Sequence, residues 1–459
     1  MHGCDSRARM RPSRRRVIAS LATAAMLPAA LLAAPAAISL PAMPLRERRL
    51  TNGLRVIGIA DPLSASVAVQ VWYFVGAKDD PPGRSGFAHL FEHLMFKRTR
   101  HMQSEMFDRL TEDVGGHNNA FTAEDVTAYQ NVVPPNHLER LLWAEAERMS
   151  NLNVDQASFD SERKVVEEEY RQRVLASPYG RLFNALPRYG FTGPLYQRPV
   201  IGEIAQLDKA TLDEVRAFHA MFYRPDNALL VVSGDIDLVQ LDAWVDRYFA
   251  PLSSAPQAMP RVAAAEPRRL RDQRVAMQGP NVPLPALALL WQGPAAHSAD
   301  APALQVAAAL LAAGDSSRLN QALVYQAQTA QAVGFSTELY AQAGLIVAYA
   351  IGANGAPPER LEAPLLQQVA RLATRPIGSA ELDKVRTRLL TEALLSRQRP
   401  QGRCDAVGWA LTLHGDAGYA NRELAALQAV SATDVQRVLT QYVLQARRVR
   451  LSYTQGPAS

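Results

Sequence analysis

The chain has 459 residues, of which 48% are hydrophobic and 20% are charged. This balance is typical of a folded globular protein, and the length is too great for a single hydrophobic core. The formal net charge is +5, and six arginines and one aspartate within residues 1–16 account for all of it. The remaining chain is neutral overall, so its charge gives no case for nucleic-acid binding.

Residues 1–36 have the pattern of an export signal. A basic start is followed by an apolar run over 17–34 and by small residues around Ala36. The arginine pair before the apolar run resembles a twin-arginine signal. We therefore expect a periplasmic or otherwise exported protein, with an N-terminal membrane anchor as the alternative. Cys404 would be the one cysteine left after cleavage, which excludes an internal disulfide.

Two parts of the chain show the same order of predicted elements. In each, an apolar strand precedes a helix, and a later helix that opens with a threonine cap is followed by another strand. The first part has strands at 54–59, 66–72 and 228–233 and a cap at Thr211, and the second has strands at 285–291 and 448–453 and a cap at Thr433. The pattern indicates an internal duplication, with chance similarity between two alanine-rich helices as the alternative.

The mixture of strands and helices predicts an α+β fold with two homologous domains. Each is expected to have a mostly antiparallel sheet backed by helices, and the two would face each other across a cleft. The predicted domains are 45–249 and 270–457, and the segment 250–269 has the Pro, Ala and Ser content of a linker.

Residues 89–93 read His89-Leu90-Phe91-Glu92-His93. On a helix, positions i, i+3 and i+4 share one face, so both imidazoles and the carboxylate would point the same way. Two histidines one turn apart can bind the same Zn²⁺, and the order His-x-x-Glu-His is the inverted form of the commoner zincin motif. The corresponding helix of the second part, at 303–311, has no histidine or glutamate, so we expect a metal site in the first part alone.

A catalytic zinc site needs a third protein ligand, and glutamates cluster in 162–171. Glu162 and Glu169 are two helical turns apart and would share a face. Val165 and Val166 are expected on the buried side of this helix. A solvated glutamate-rich face is the alternative, and composition alone favours it.

The motifs together resemble the pitrilysin family of zinc metallopeptidases, which includes the mitochondrial processing peptidases and insulin-degrading enzyme. The resemblance rests on His89-x-x-Glu92-His93, on Glu169 at 76 residues beyond His93, and on the strand pattern of 115–129. Segments 223–227 and 233–235 fit as well, so the likeness covers nearly the whole chain after residue 45. Within the family, the chain most resembles a processing-peptidase subunit of about the same length.

The resemblance implies a zinc metalloendopeptidase that hydrolyses extended or unfolded peptides. It implies one Zn²⁺ per chain, held by His89, His93 and Glu169, with Glu168 as the alternative third ligand. Glu92 would be the general base that takes a proton from the attacking water. Further roles follow for three residues: Glu162 would orient a ligand histidine, and Asn119 and Ala120 would lie on an edge strand that pairs with the peptide.

The second half departs from the family pattern. The family usually supplies an arginine and a tyrosine to the cleft there, but Ala327 and Gln331 stand at about those positions. We therefore expect a homologous partner chain to supply the pair, as in a heterodimer. A homodimer, or Tyr325 as a displaced substitute, is the alternative. A non-catalytic scaffold or peptide-binding subunit is the rival to an enzyme.

Overall fold

The computed structural model describes residues 41–254, 257–262, 264–353 and 355–456. The predicted export signal at 1–36 lies outside these residues. Within them, no helix is both long enough and apolar enough to cross a lipid bilayer.

The first half contains a six-stranded sheet with the order β1-β2-β6-β3-β5-β4. Of its five strand pairings, only that of β2 with β6 is parallel. Strand β3 is buried along its whole length, because helices cover both faces of the sheet. The strands are β1 Arg46–Arg49, β2 Arg55–Ala60, β3 Val67–Tyr73, β4 His117–Thr122, β5 Thr127–Val133 and β6 Ala228–Gly234.

The second half contains a five-stranded sheet with the order β7-β11-β8-β10-β9, in which only β7 and β11 pair in parallel. Its strands are β7 Gln273–Gly279, β8 Ala286–Gly293, β9 Ala330–Leu339, β10 Gly344–Gly352 and β11 Arg448–Gln455. Matching β2 with β7, β6 with β11, β3 with β8, β5 with β10 and β4 with β9 gives the same order and the same directions. The predicted duplicated α+β fold with mostly antiparallel sheets is therefore confirmed.

Fourteen α-helices are assigned within the described residues. The first half has α1 Phe87–Leu94, α2 Met106–Glu112, α3 Leu138–Asn151, α4 Gln156–Tyr170, α5 Gly180–Gly190, α6 Ile204–Leu207, α7 Leu212–Phe222 and α8 Leu238–Tyr248. The second half has α9 Ala301–Ala312, α10 Pro358–Thr374, α11 Ser379–Arg397, α12 Pro400–His414, α13 Tyr419–Ala429 and α14 Ala432–Leu439. The domain and linker boundaries themselves stay predictions.

In each half, one helix packs against the sheet of the other half. Helix α12 of the second half covers one face of the first sheet, where Val407 and Leu411 pack with Trp72. Helix α5 of the first half covers the second sheet, where Leu182 and Leu186 pack with strands β8, β10 and β11. As a result, central strands such as β3, β6 and β8 are covered on both faces.

Helices α7 and α14 match each other in the two halves, and one of the two predicted N-cap residues is correct. Thr211 caps α7 through a reciprocal pair of hydrogen bonds with Glu214, as expected. The cap of α14 is Ser431, which makes the same reciprocal pair with Asp434, so the prediction of Thr433 is wrong. Ser431 has the extended backbone that a cap requires, and it lies two residues before the predicted position.

The buried stripe of α4 also differs from the prediction. Phe159, Glu162 and Val166 are buried, at a spacing of three and four residues that follows one helical face. Val165 lies about 100° away from Val166 around the helix, and 46% of it is exposed. The predicted burial of Val165 is therefore wrong, and that of Val166 is confirmed.

Candidate metal centre

Helix α1 is held at its start by a buried carboxylate. The amide of Gly86 donates to Asp80 Oδ2 at 2.7 Å, and the amide of Ala88 donates to Asp80 Oδ1 at 2.9 Å. These bonds satisfy amides that the helix leaves without an internal partner. Burial raises the pKa of Asp80 to about 7. The two hydrogen bonds fix the direction in which α1 leaves the preceding loop.

The sequence of α1 divides its surface into two sides. Phe87, Leu90, Phe91 and Leu94 are buried in the core of the first half. The other side carries His89, Glu92 and His93, and the two imidazole rings lie edge to face with centroids 5.0 Å apart. The structure thus places the motif on a helix with its three polar side chains on a shared face.

Glu169 of α4 reaches the same point from a different helix. Its Oε2 lies 3.6 Å from His89 Nε2 and 3.5 Å from His93 Nε2. One donor atom from each of these three residues can be chosen so that all lie within 4.8 Å of one another. The alternative, Glu168, is 56% exposed and pairs with Arg171, so it lies outside this cluster.

The donor set fits a zinc ion. Zn²⁺ with bonds of about 2.0–2.1 Å in a tetrahedron holds its ligand atoms about 3.3 Å apart, close to the separations found here. Burial is the main cause that lowers the pKa of His89 to about 3, so this imidazole is neutral, as metal binding requires. Two imidazole nitrogens and one carboxylate oxygen would be three of the four ligands that a zinc ion commonly has.

Glu162 lies next to His93, and it shares one face of helix α4 with Glu169. Its Oε2 is 3.6 Å from His93 Nδ1, and its Oε1 is 2.8 Å from Lys97 Nζ. Burial opposes ionisation of Glu162, but the contacts with His93 and Lys97 outweigh it and lower its pKa. The Nδ1 side of the His93 ring thus faces Glu162, while its Nε2 faces Glu169. His89 Nδ1, in contrast, has no hydrogen-bond partner among the described residues.

Glu92 is anchored by a residue that the sequence reasoning did not single out. Thr122 Oγ1 donates to Glu92 Oε2 at 2.6 Å. Burial raises the pKa of Glu92, while this hydrogen bond opposes the increase. Thr122 is the last residue of β4, directly before the turn to β5. It lies within the strand pattern of 115–129 on which the family resemblance partly rests. Its position at the end of the edge strand was the available signal.

Strand β4 is an edge of the first sheet. It pairs with β5 on one side, with Asn119 opposite Gln130 and Ala120 opposite Tyr129. The side chain of Asn119 is exposed, and that of Ala120 is half-buried. The structure therefore places both predicted residues on an edge strand, with the outer side of its backbone open to another strand.

A groove of about 830 Å³ runs between this edge and the cluster of His89, His93 and Glu169. Its lining residues all lie within 89–201, in the first half, and include His89, Glu92, His93 and Glu169. None of the second-half positions singled out above lines it. Tyr325 is 51% exposed elsewhere, and Arg318 forms an ion pair with Glu381.

Comparison with known proteins agrees with this geometry. Residues 55–203 match the model of "Insulinase (Peptidase family M16)", and residues 209–389 match that of "Peptidase M16 inactive domain". A relative named "Zinc protease PqqE" from Helicobacter pylori is 30% identical over 340 residues, which are 73% of this chain and 76% of the relative. The chain belongs to the M16 peptidase family. The pitrilysin-type family predicted from the motifs is therefore confirmed.

Two further similarities extend over most of the chain. A relative named mitochondrial-processing peptidase subunit beta, from Blastocladiella emersonii, is 25% identical over 446 residues, which are 95% of this chain and 93% of the relative. The crystal structure of a protease from Helicobacter pylori has a TM-score of 0.87 and 25% identity, and the match covers 90% of this chain and 100% of that one. An M16-like peptidase from Alicyclobacillus acidocaldarius shares the fold, with a TM-score of 0.75 at 18% identity.

Proposed function

We propose that this M16 family member is a zinc-dependent endopeptidase that hydrolyses extended or unfolded peptides. The observation that carries the proposal is the meeting of His89, His93 and Glu169 around one point, with Glu92 beside it and an open strand edge across the groove. The family's relatives that are named zinc proteases support the choice of metal.

His89, His93 and Glu169 would hold the zinc ion, and Glu162 would keep the His93 ring turned towards it. Zinc, when bound, polarises a peptide carbonyl and makes an attacking water more acidic. Glu92, held by Thr122, would accept the proton of that water and pass it to the leaving amine. The burial that raises the pKa of Glu92 makes its carboxylate a better proton acceptor.

The peptide would lie along the free edge of β4, at Asn119 and Ala120. An edge strand binds an extended chain through main-chain hydrogen bonds, which depend little on side chains. A folded substrate cannot offer such a strand without local unfolding. This argues for unfolded or flexible peptides as the substrate class.

We further propose that a homologous partner chain completes the groove. All of the lining residues come from the first half, so no described residue of the second half lines the groove. Ala327 and Gln331 cannot supply the charge or the phenol that the family pattern places there. The similarity to a chain named as the beta subunit of a processing peptidase supports an assembly of this kind.

Peptide hydrolysis by the purified chain tests the proposal, alone and mixed with its nearest homologue from the same cell. Glu92→Gln should keep the bound zinc and lose activity by about 10²–10⁴-fold, since it removes the proton acceptor and not a ligand. Glu168→Gln is the matched control, because that glutamate lies outside the cluster, and its activity should equal that of the wild type. Undiminished hydrolysis by Glu92→Gln would refute the mechanism. Equal rates with and without the homologue would refute the partner.

A further inference from the structure

A single arginine faces the groove next to the metal-binding side chains. Arg173 lies on a π-helical turn, Arg171–Ala176, that continues α4 directly beyond Glu169. Among the described residues that line the groove, Arg173 is the one arginine or lysine. π-helical turns are rare and are found frequently at functional sites. Its side chain is 73% exposed, so it is open to a ligand in the groove.

Glu169 divides its two oxygens between Arg173 and the histidines. Its Oε1 lies 2.6 Å from Arg173 Nη1, while its Oε2 faces the Nε2 atoms of His89 and His93. A guanidinium has five N–H donors in a planar fork, and this ion pair occupies one end of it. The N–H donors at the other end of the fork are then available to a second carboxylate.

With a divalent cation at the three donor atoms, the charges around the groove would favour an acidic ligand. Its ionisable lining residues besides the histidines are Glu92, Glu169 and Arg173, which together carry one net negative charge. A divalent cation bound at the three donor atoms would reverse this to one net positive charge. It would also neutralise the carboxylate with which Arg173 pairs. A carboxylate beside the scissile bond would then meet a positive field and an arginine fork that matches its shape.

We propose that Arg173 is a specificity residue that binds a carboxylate of the substrate close to the scissile bond. The preferred substrates are then extended peptides with a glutamate or aspartate at one defined position from the cleaved bond. The proposal rests on the proposed peptidase function, and it adds a side-chain preference to binding along β4 that is otherwise blind to sequence.

The test uses one neutral host peptide in which a single glutamate is moved along the chain, each with its glutamine counterpart. Binding to the Glu92→Gln protein is measured by fluorescence anisotropy, with and without added zinc, and cleavage by the wild type is measured as kcat/KM. We expect the glutamate peptide to exceed its glutamine counterpart about fivefold at one position. The preference should weaken as salt is raised from about 0.05 M to about 0.5 M, because the Debye length falls from about 14 Å to about 4 Å.

Three variants separate this role from a structural one. Arg173→Gln should reduce the ratio to about one, and Arg173→Glu should make the lysine peptide the preferred one at the same position. Arg171→Gln is the matched control, because Arg171 lies on the same turn but pairs with Glu167 and Glu168 outside the groove, and it should keep the preference. Zinc content, measured for every variant, should stay at the wild-type level.

Equal binding of all glutamate and glutamine pairs by the wild-type groove would overturn the proposal, as would a preference that survives in Arg173→Gln. A loss of binding for every peptide alike, or a loss of zinc, would also overturn it by assigning Arg173 to the support of Glu169. Failure of the proposed peptidase function can be told apart from failure of this proposal. In that case no peptide would be cleaved, but the binding assay would still measure the preference for glutamate.

Discussion

Helix α1 lies between β3 and the edge strand β4 in the chain, and helix α9 lies between the matching strands β8 and β9. The two helices differ in what packs against them. In α1, one side is buried and the other presents two imidazoles and a carboxylate to a groove. In α9, alanine and leucine fill the surface, and helices α11, α13 and α14 pack against it. The same fold thus holds a face of two imidazoles and one carboxylate in one half and a mainly apolar helix in the other, so the proposed chemistry depends on the site and not on the architecture.

The largest effect should come from removing the third ligand of the first half. Glu169→Gln should lower the zinc content from about one ion per chain to below about one tenth after dialysis, because two histidines alone hold zinc weakly. The measurement is metal analysis of the dialysed protein. Glu168→Gln, next in the chain but 56% exposed, should keep its zinc. If the two variants lose zinc equally, the assignment of the ligand is wrong.

A smaller effect should come from the helices that the halves exchange. A methyl group on Gly408 of α12 would lie 2.0 Å from the ring of Trp72, which also packs edge to face on Phe121 and Trp409. Gly408→Ala should therefore cost about 2–3 kcal/mol of unfolding free energy, despite the better helix propensity of alanine.

Helix α5, which packs on the sheet of the second half, should tolerate a glycine-to-alanine change better than α12 does. A methyl group on Gly190, at the end of α5, would meet the flexible Leu345 side chain at 2.4 Å, and Leu345 can change rotamer. Gly190→Ala should cost less than about 1 kcal/mol. Urea unfolding of both variants measures the difference, and equal costs would show that the two exchanged helices are packed alike.

A further comparison of the two halves concerns acid sensitivity. With the caps Thr211 and Ser431 matched, His219 of α7 corresponds to the buried Leu439 of α14. His219 stacks on Phe91 of α1, and its Nε2 is buried without a hydrogen-bond partner among the described residues. Burial lowers the pKa of His219 from 6.5 to about 4.

Between pH 4 and 6.5 the unfolded chain binds more protons at His219 than the folded chain does. The contribution of His219 to the free energy of unfolding therefore rises with pH through this window and is constant above it. On going from pH 7 to pH 5, the wild type should lose about 1 kcal/mol more than His219→Leu, since the ring is partly covered. Urea unfolding at both pH values measures this, and parallel losses would contradict the predicted titration.

Much of the first half could be predicted because its signals are local. The i, i+3, i+4 spacing of His89, Glu92 and His93 requires only a helix, and the helix period also places Glu162 and Glu169 on one face of α4. Apolar runs located strands β2, β3, β6, β8 and β11 to within two residues, and the other strands of the described residues were not predicted from such runs. Local rules failed where two neighbours compete, as at Thr433 against Ser431 for the cap and at Val165 against Val166 for burial.

The sequence by itself determined the two-part α+β plan and the shared face of His89, Glu92 and His93 on α1, since strand and helix periodicity follow from backbone geometry. Only the tertiary structure decided which oxygen of Glu169 faces the histidines, that Thr122 anchors Glu92, and that Arg173 points into the same groove. The exchange of α5 and α12 between the halves is of the same kind. These contacts join residues far apart in the chain, and packing of whole elements sets their distances.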